Sequence, residues 1–332
     1  MIYWHRFLNR PKSLSRGVNL QGKDLLSIAD LSGEDIQLLI SDTVDLKARG
    51  HTTALSGKTL ALLFEKPSLR TRVSFEVAMQ QSGGQAIYLS PAEVGLGQRE
   101  AVPDVARVLS RYVDVIAART FSHQTLEALG GHASVPVINA LSDREHPCQA
   151  LADLVTIYEK KGRLKGLALA YIGDGNNVAS SLMLAASLSG MNFRIASPAN
   201  YQVPDTILKL AREYAEGSGA RIVLTEEAGL AVSDADIVYT DVWTSMGDEA
   251  EAAERSRVFA AYQVNEGLLA LAREDAILMH PLPAHHGQEV AEGILNSPGS
   301  VVFDQAENRM HLARALLIQM LGGLEIPLAG YA

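Results

Sequence analysis

Thr59-Leu60-Ala61-Leu62-Leu63-Phe64-Glu65-Lys66-Pro67-Ser68-Leu69-Arg70-Thr71-Arg72-Val73-Ser74-Phe75-Glu76 decides the fold. An apolar run of strand length stops at a charged pair and a proline. A helical pattern then begins near Val73-Ser74-Phe75-Glu76. The same unit, a short strand-like run followed by a longer helical one, recurs along the chain and marks parallel strands joined by crossover helices.

Working outward, Thr59 to Phe64, Ala86 to Leu89, Asp114 to Ala118 and Val135 to Asn139 form a first set of strands. Leu167 to Ile172, Phe193 to Ala196, Arg221 to Leu224, Asp236 to Thr240 and Ala276 to Met279 form a second. Between the sets, Pro147 to Lys161 carries Leu151, Leu154, Val155 and Tyr158 at helical spacing and can bridge two lobes. The expected fold is α/β, two doubly wound parallel-sheet domains joined by interdomain helices. The boundary is expected at 150/151, giving domains 1–150 and 151–308, with a last helix over 309–324 packing back on the first lobe. Ser32-Gly33-Glu34-Asp35 reads as a capped helix start and Gly83-Gly84 as a helix end.

The 332 residues, 47% hydrophobic, are enough for two buried cores. A net charge of -9 gives no long-range attraction to nucleic acid or to an anionic membrane surface, so an anionic ligand must be held by clustered arginines. The single cysteine, Cys148, supports no disulfide framework, and no CxxC or HExxH spacing points to zinc. A reducing cytoplasm fits this usage best. Met1 to Gly17 mixes Arg6, Arg10, Lys12 and Arg16 with aromatic residues, but lacks an apolar core and a small-residue cleavage site, so it reads as a plain extension. No stretch approaches the roughly 18 apolar residues of a membrane span.

In the opening stretch, two hydroxyls, two arginines and several free backbone N–H groups fall at a helix N-terminus. Such an end favours dianions, because unpaired amides and the helix dipole both attract negative charge. Arg70 adds a planar fork matched to phosphate oxygens. A motif this short is by itself as compatible with a capped helix and solvated arginines.

The segment resembles the carbamoyl-phosphate signature of the aspartate and ornithine carbamoyltransferase family, and three further matches follow in order. They are His146-Pro147-Cys148-Gln149-Ala150-Leu151-Ala152-Asp153-Leu154, Asp241-Val242-Trp243-Thr244-Ser245-Met246-Gly247 and His280-Pro281-Leu282-Pro283. The resemblance spans roughly Leu25 to Leu321. It implies two lobes closing over carbamoyl phosphate and an amino acid, with no metal or cofactor, in a homotrimer or a multiple of trimers. It implies that Ser68, Leu69, Arg70, Thr71, Gln98, Arg119, His146, Gln149, Pro281, Leu282 and Arg309 hold carbamoyl phosphate, with Arg70, Arg119 and His146 catalytic. Thr71, Arg119 and His146 would face the carbonyl oxygen, where charge grows as an amine attacks.

For the acceptor, Asp241 and Ser245 suit an α-ammonium group and Asn177 an α-carboxylate, while Met246 completes the loop. The implied reaction is carbamoyl transfer to the side-chain amine of L-ornithine, in arginine biosynthesis. Aspartate, N-acylornithine or putrescine remain as alternative acceptors. Three positions depart from the family pattern: Pro281 stands where ornithine enzymes commonly have Cys, Leu69 replaces Thr, and Gly95 replaces a Gln that reaches a neighbouring subunit, a task left to Gln98 or Arg99. Pro281 leaves its carbonyl and that of Leu282 as acceptors, because proline lacks only its donor. Cys148 reads as buried filler, and His285 and His286 as turn or domain-contact residues.

From another reaction class, Gly173-Asp174-Gly175-Asn176-Asn177-Val178 after a strand invites an NAD-dependent dehydrogenase reading. Val178 stands in place of the third glycine, and Ile195-Ala196-Ser197-Pro198 supplies no acidic residue for a ribose. A non-enzymatic binder of the same fold is the other rival; Arg70, His146, Gln149 and Asp241 together argue for an enzyme.

Overall fold

The computed structural model describes residues 20–97, 99–244 and 249–322. Met1 to Gly17, Gln98, Ser245 and Met246 lie outside the described residues. Among the described residues nine strands form two sheets: β1 Thr59–Phe64, β2 Gln85–Leu89, β3 Val115–Arg119 and β4 Val137–Leu141, then β5 Ala168–Ile172, β6 Asn192–Ala196, β7 Ile222–Thr225, β8 Ile237–Thr240 and β9 Ile277–Met279. The orders are β2-β1-β3-β4 and β7-β6-β5-β8-β9, with every pairing parallel.

All nine lie within two residues of their expected positions. Part of the offset has a simple cause: aspartates expected inside strands stand just before them and cap a neighbour. The Thr59 N–H donates to Asp114 Oδ2 at 2.9 Å, and the Ala168 N–H to Asp236 Oδ2 at 2.8 Å.

The helices are α1 Gly33–Arg49, α2 Leu69–Gln81, α3 Pro91–Val94, α4 Val102–Leu109, α5 His123–His132 and α6 Pro147–Lys161 in the first half. The second half has α7 Asn177–Leu188, α8 Asp205–Ser218, α9 Ala228–Val232, α10 Ala252–Val258, α11 Glu266–Leu269 and α12 Val302–Leu321. Ser32 caps α1 with Asp35 returning the bond, as the sequence indicates. Two helices differ from expectation: α2 begins at Leu69 rather than near Val73, because Ser68 caps it through the Thr71 N–H, and the last helix also starts early. It begins at Val302, ahead of Arg309, and ends at Leu321 against Gly322, whose φ of 74° is a glycine conformation. Its early turns escape a hydrophobic pattern because Gln305 and Asn308 are buried and paired, Asn308 Nδ2 donating to Thr156 Oγ1 at 3.0 Å.

α12 packs on α2, α6 and α1, and α6 also packs on α7, so the two helices tie the sheets together. One core runs through them, holding Phe64 and Phe75 of the first lobe with Tyr171 and Phe193 of the second. Leu316, Leu317 and Ile318 are fully enclosed in it, and truncating such a side chain typically costs about 2–5 kcal/mol.

Each sheet reverses its strand order once, between β1 and β3 and between β5 and β8. Ligands of open α/β sheets bind at such reversals, beyond the carboxyl ends of the strands. Here both carboxyl ends open on one cleft.

Candidate active site

The cleft has a volume of about 620 Å³ and is lined from both lobes. Twelve residues singled out in the sequence line it: Ser68, Leu69, Arg70, Thr71, Arg119, His146, Gln149, Asn177, Asp241, Pro281, Leu282 and Arg309. Each lies at or after the carboxyl end of a strand, or in the case of Arg309 reaches in from α12. Gln98, Ser245 and Met246 lie outside the described residues. Arg99 is not part of the lining; its Nη1 donates to the Glu93 carbonyl at 3.3 Å.

At the end of β1, Ser68 caps α2, accepting the Thr71 N–H at 3.4 Å and donating to Thr71 Oγ1 at 3.0 Å. Arg309 Nη2 donates to the same Thr71 oxygen at 2.8 Å. Leu69 turns its side chain to solvent, 76% exposed, so at that position α2 offers a backbone amide without a second hydroxyl. Arg119, the last residue of β3, is buried, as is Arg309.

Among the described residues none of the three arginines pairs with a carboxylate, and Nε of Arg70 and of Arg119 has no partner. Burial, then repulsion from Arg309 and Arg70, pulls the Arg119 guanidinium down to about 10. Burial also lowers Arg70 and Arg309. Crowded, desolvated cations of this kind are costly until an anion joins them. At a helix N-terminus, that anion is phosphate-like.

His146 precedes α6, with Pro147 at the first helical position, where a missing N–H costs nothing. Its backbone N–H donates to Ser181 Oγ of α7 at 2.9 Å, while its ring Nδ1 is buried without a partner. Burial first, and then Arg309 and Arg119, hold its pKa well below the usual histidine value, so the ring is neutral at physiological pH. Gln149, one turn on, donates through Nε2 to Asp153 Oδ1 at 2.8 Å, leaving its buried Oε1 unpartnered. Cys148 is buried too, its thiol pushed up to about 12 by desolvation, and it has the character of packing rather than of a nucleophile.

From the second lobe, Asp241 at the end of β8 accepts from Asn176 Nδ2 at 2.9 Å and from the Val242 N–H at 2.8 Å. Burial raises its pKa. Asn177 Nδ2 donates to the Ser142 carbonyl at 2.6 Å, bridging the lobes; its second hydrogen remains for a ligand. In the turn after β9, the Leu282 N–H donates to His280 Nδ1 at 2.9 Å. His280 is fully buried, 3.3 Å from Glu289 through Nε2. Leu282 has φ 55° and the Leu282–Pro283 bond is cis. No described residue donates a hydrogen bond to the Pro281 or Leu282 carbonyl.

The glycine turn after β5 has a packing explanation. A Cβ on Gly175 would lie 2.2 Å from the Val203 nitrogen, and the Asp174 carboxylate is held by Arg255 Nη1 at 2.7 Å. Lys66, Thr244, Ser256, His285 and Gln288 also line the cleft and were not singled out as site residues. Lys66, within the quoted phosphate stretch, had a signal; the others lie on loops whose aim only the fold determines.

Residues 23–159 match the family described as aspartate/ornithine carbamoyltransferase, carbamoyl-P binding domain. Residues 165–320 match aspartate/ornithine carbamoyltransferase, Asp/Orn binding domain. The chain is 53% identical over 313 residues to an ornithine carbamoyltransferase of Anoxybacillus flavithermus, covering 93% of this chain and 100% of that protein. It is 49% identical to the anabolic ornithine carbamoyltransferase of Pyrococcus furiosus, over 93% of this chain and 99% of that one. The solved structure of an ornithine carbamoyltransferase from the same organism superposes with a TM-score of 0.89 at 48% identity, covering 93% of this chain and 100% of that structure.

Proposed function

The chain belongs to the aspartate/ornithine carbamoyltransferase family, and from that premise we propose how its own residues carry out the transfer. It transfers the carbamoyl group of carbamoyl phosphate to the side-chain amine of L-ornithine, giving citrulline and phosphate, a step of arginine biosynthesis. The observation that carries the residue-level reading is the trio Arg70, Arg119 and Arg309, uncompensated by carboxylate, around the Ser68–Thr71 helix start.

In this reading the phosphate sits on the amides of α2 and the three guanidinium groups, within the domain formed by 1–150 and the last helix. The carbamoyl oxygen faces Thr71, Arg119 and the neutral ring of His146, and the carbamoyl NH2 faces Gln149 Oε1 and the carbonyls of Pro281 and Leu282. Ornithine occupies the 151–308 domain, its α-ammonium on Asp241 and Ser245, its carboxylate on Asn177 and its chain against Met246. The neutral δ-amine then attacks the carbamoyl carbon. An N–C bond forms, the C–O bond to phosphate breaks, and the departing phosphate takes the amine proton.

Holding both reactants in this geometry supplies up to about 7–11 kcal/mol of the barrier reduction in favourable cases. The donors facing the carbonyl oxygen act most strongly when charge develops there. Neutrality of His146 suits it to this task, because it can donate or accept without a fixed charge competing for the phosphate.

Carbamoyl phosphate and ornithine are the partners in this proposal, and the assembly is a homotrimer or a multiple of trimers in which Gln98 or Arg99 enters a neighbouring cleft. Native mass measurement reads the assembly directly. A reducing cytoplasm suits the one buried thiol. Among the described residues no helix is long and apolar enough to cross a membrane.

A bisubstrate compound tests the site itself: a phosphonate joined through an acetamide to the δ-nitrogen of ornithine. It is expected to bind at least about 10²-fold more tightly than ornithine, as transition-state-like ligands do. Equal affinity for the two would contradict a single shared cleft.

A further inference from the structure

Behind the cleft, a chain of buried polar side chains runs from Gln149 to the turn after β9. Gln149 Nε2 donates to Asp153 Oδ1 at 2.8 Å, and Gln305 Nε2 donates to the same oxygen at 2.8 Å. Tyr239 OH donates to Asp153 Oδ2 at 2.8 Å, and Gln305 Oε1 accepts the His280 N–H at 2.9 Å. Asp153, Tyr239, Gln305 and His280 are fully buried and Gln149 nearly so. The elements joined are α6, β8, α12 and the loop after β9, which all contribute to the cleft wall.

We propose that Asp153 is a specificity-determining positioning residue: it fixes the Gln149 amide with its carbonyl oxygen toward the cleft, so that the subsite accepts an N–H donor and selects carbamoyl phosphate over acyl phosphates without one. A glutamine amide can occupy its site in either of two orientations, which exchange a donor for an acceptor. Asp153 Oδ1 already receives two N–H groups, so rotating Gln149 would put oxygen against oxygen in a buried place, and the wrong orientation carries the cost of an unpaired buried acceptor. Tyr239 serves this arrangement in either protonation state, because its hydroxyl can donate to an ionised Oδ2 or accept from a protonated one. Oδ1 therefore stays an acceptor. The unpartnered Oε1 of Gln149 is the end left for substrate. A buried acceptor rejects a methyl group where it expects N–H, because the acceptor is then left unpaired.

The inference rests on the assignment of Gln149 to the carbamoyl end, and the experiment separates the two. The KM for carbamoyl phosphate and the inhibition constant of acetyl phosphate, which has CH3 in place of NH2, are measured in the intact enzyme and in Gln149→Ala, Asp153→Ala, Asp153→Asn and Tyr239→Phe. Asp153→Ala is expected to raise the carbamoyl-phosphate KM at least about ten-fold while moving acetyl phosphate less than about two-fold, the signature of one misoriented hydrogen bond. Asp153→Asn, whose oxygen accepts both glutamine amides and whose NH2 reaches Tyr239, is expected to restore the KM to within about three-fold.

Parallel losses for both phosphates in Asp153→Ala would overturn the inference, as would an unchanged ratio of the acetyl-phosphate inhibition constant to the carbamoyl-phosphate KM. If Asp153→Ala does not fold, Tyr239→Phe decides: at least about a two-fold drop in the ratio supports the inference, and no drop overturns it. Should Gln149→Ala itself leave the ratio unchanged, the Gln149 assignment fails, and the inference with it.

Discussion

Arg309 and Thr71 are 238 positions apart in sequence, yet Arg309 Nη2 lies 2.8 Å from Thr71 Oγ1, inside the cleft. The contact exists because α12 returns to pack on α2 after the chain has built the second lobe. The last helix thereby delivers a cation to the Ser68–Thr71 helix start of the first lobe. Arg309→Ala is expected to raise the carbamoyl-phosphate KM by roughly 10- to 100-fold, the worth of one or two charge-assisted hydrogen bonds, with Arg309→Lys recovering part of the loss. Steady-state kinetics at saturating ornithine check this; an unaltered KM in the alanine variant would remove Arg309 from the phosphate site.

His146 titrates well below its ordinary value, so the ring is uncharged across the working pH range. The pH dependence of kcat/KM between about pH 6 and 9 is expected to show no limb that disappears in His146→Asn, while kcat falls by roughly 10²- to 10³-fold as for a lost oxyanion donor. Stability carries the matching sign. The unfolded chain binds the histidine proton more readily than the fold does, so this group's contribution is present above about pH 6.5 and is lost as pH falls below it. Chemical denaturation of His146→Asn at pH 5 and 8 should show a weaker pH dependence than the parent; an equal dependence would show that the ring is not held neutral.

Asp241 is buried at the end of β8 with one oxygen on Asn176 and the other on a backbone amide. Asp241→Asn is expected to raise the ornithine KM by about 10²-fold or more, because truncating one partner of a buried charge pair typically costs about 2–5 kcal/mol. The carbamoyl-phosphate KM should change little. A variant that weakened both substrates equally would point to a general distortion of the cleft.

Burial pushes the Asp153 carboxyl up to about 7, against hydrogen bonds from Gln149, Tyr239 and Gln305 that lower it. The fold therefore binds this proton more tightly than the unfolded chain. The stabilising contribution is whole below about pH 4 and is lost as pH rises through about 7. Asp153→Asn, which cannot ionise, should gain stability on the parent as pH rises, by up to about 4 kcal/mol. Urea melts at pH 5 and 8 measure it; a gain that did not grow with pH would show that Asp153 is neutral, or ionised, in both states.

Much of this was legible in the chain because apolar runs such as Leu60–Phe64 carry their own strand signal, and because Ser32 and Pro147 mark helix starts in local chemistry. The reversals of strand order then turn sequence position into spatial convergence. What sequence did not reveal is polar and buried. Asp153 and Gln305 fall in helical patterns where a charged or amide residue reads as solvent-facing, and only the folded packing, which brings them to each other and to Gln149, Tyr239 and His280, gives them partners. The early start of α12 was missed for the same reason. His285 and Gln288 reach the cleft from a turn whose course is set by Glu289, which accepts the His285 N–H at 2.5 Å. No local motif encodes that aim.

Pro281 and Asp241 point to different acceptors when read alone, since Pro281 stands where ornithine enzymes commonly have Cys, whereas a buried carboxylate suits an α-ammonium group. The decisive measurement is the rate of carbamoylation of ornithine, aspartate, N-acetylornithine and putrescine by purified protein supplied with carbamoyl phosphate. Citrulline from ornithine is expected with a kcat/KM at least about 10²-fold above that for the other three, the discrimination of a site built around a buried charge. Preferred carbamoylation of aspartate, or equal activity on putrescine, would contradict the role given to Asp241.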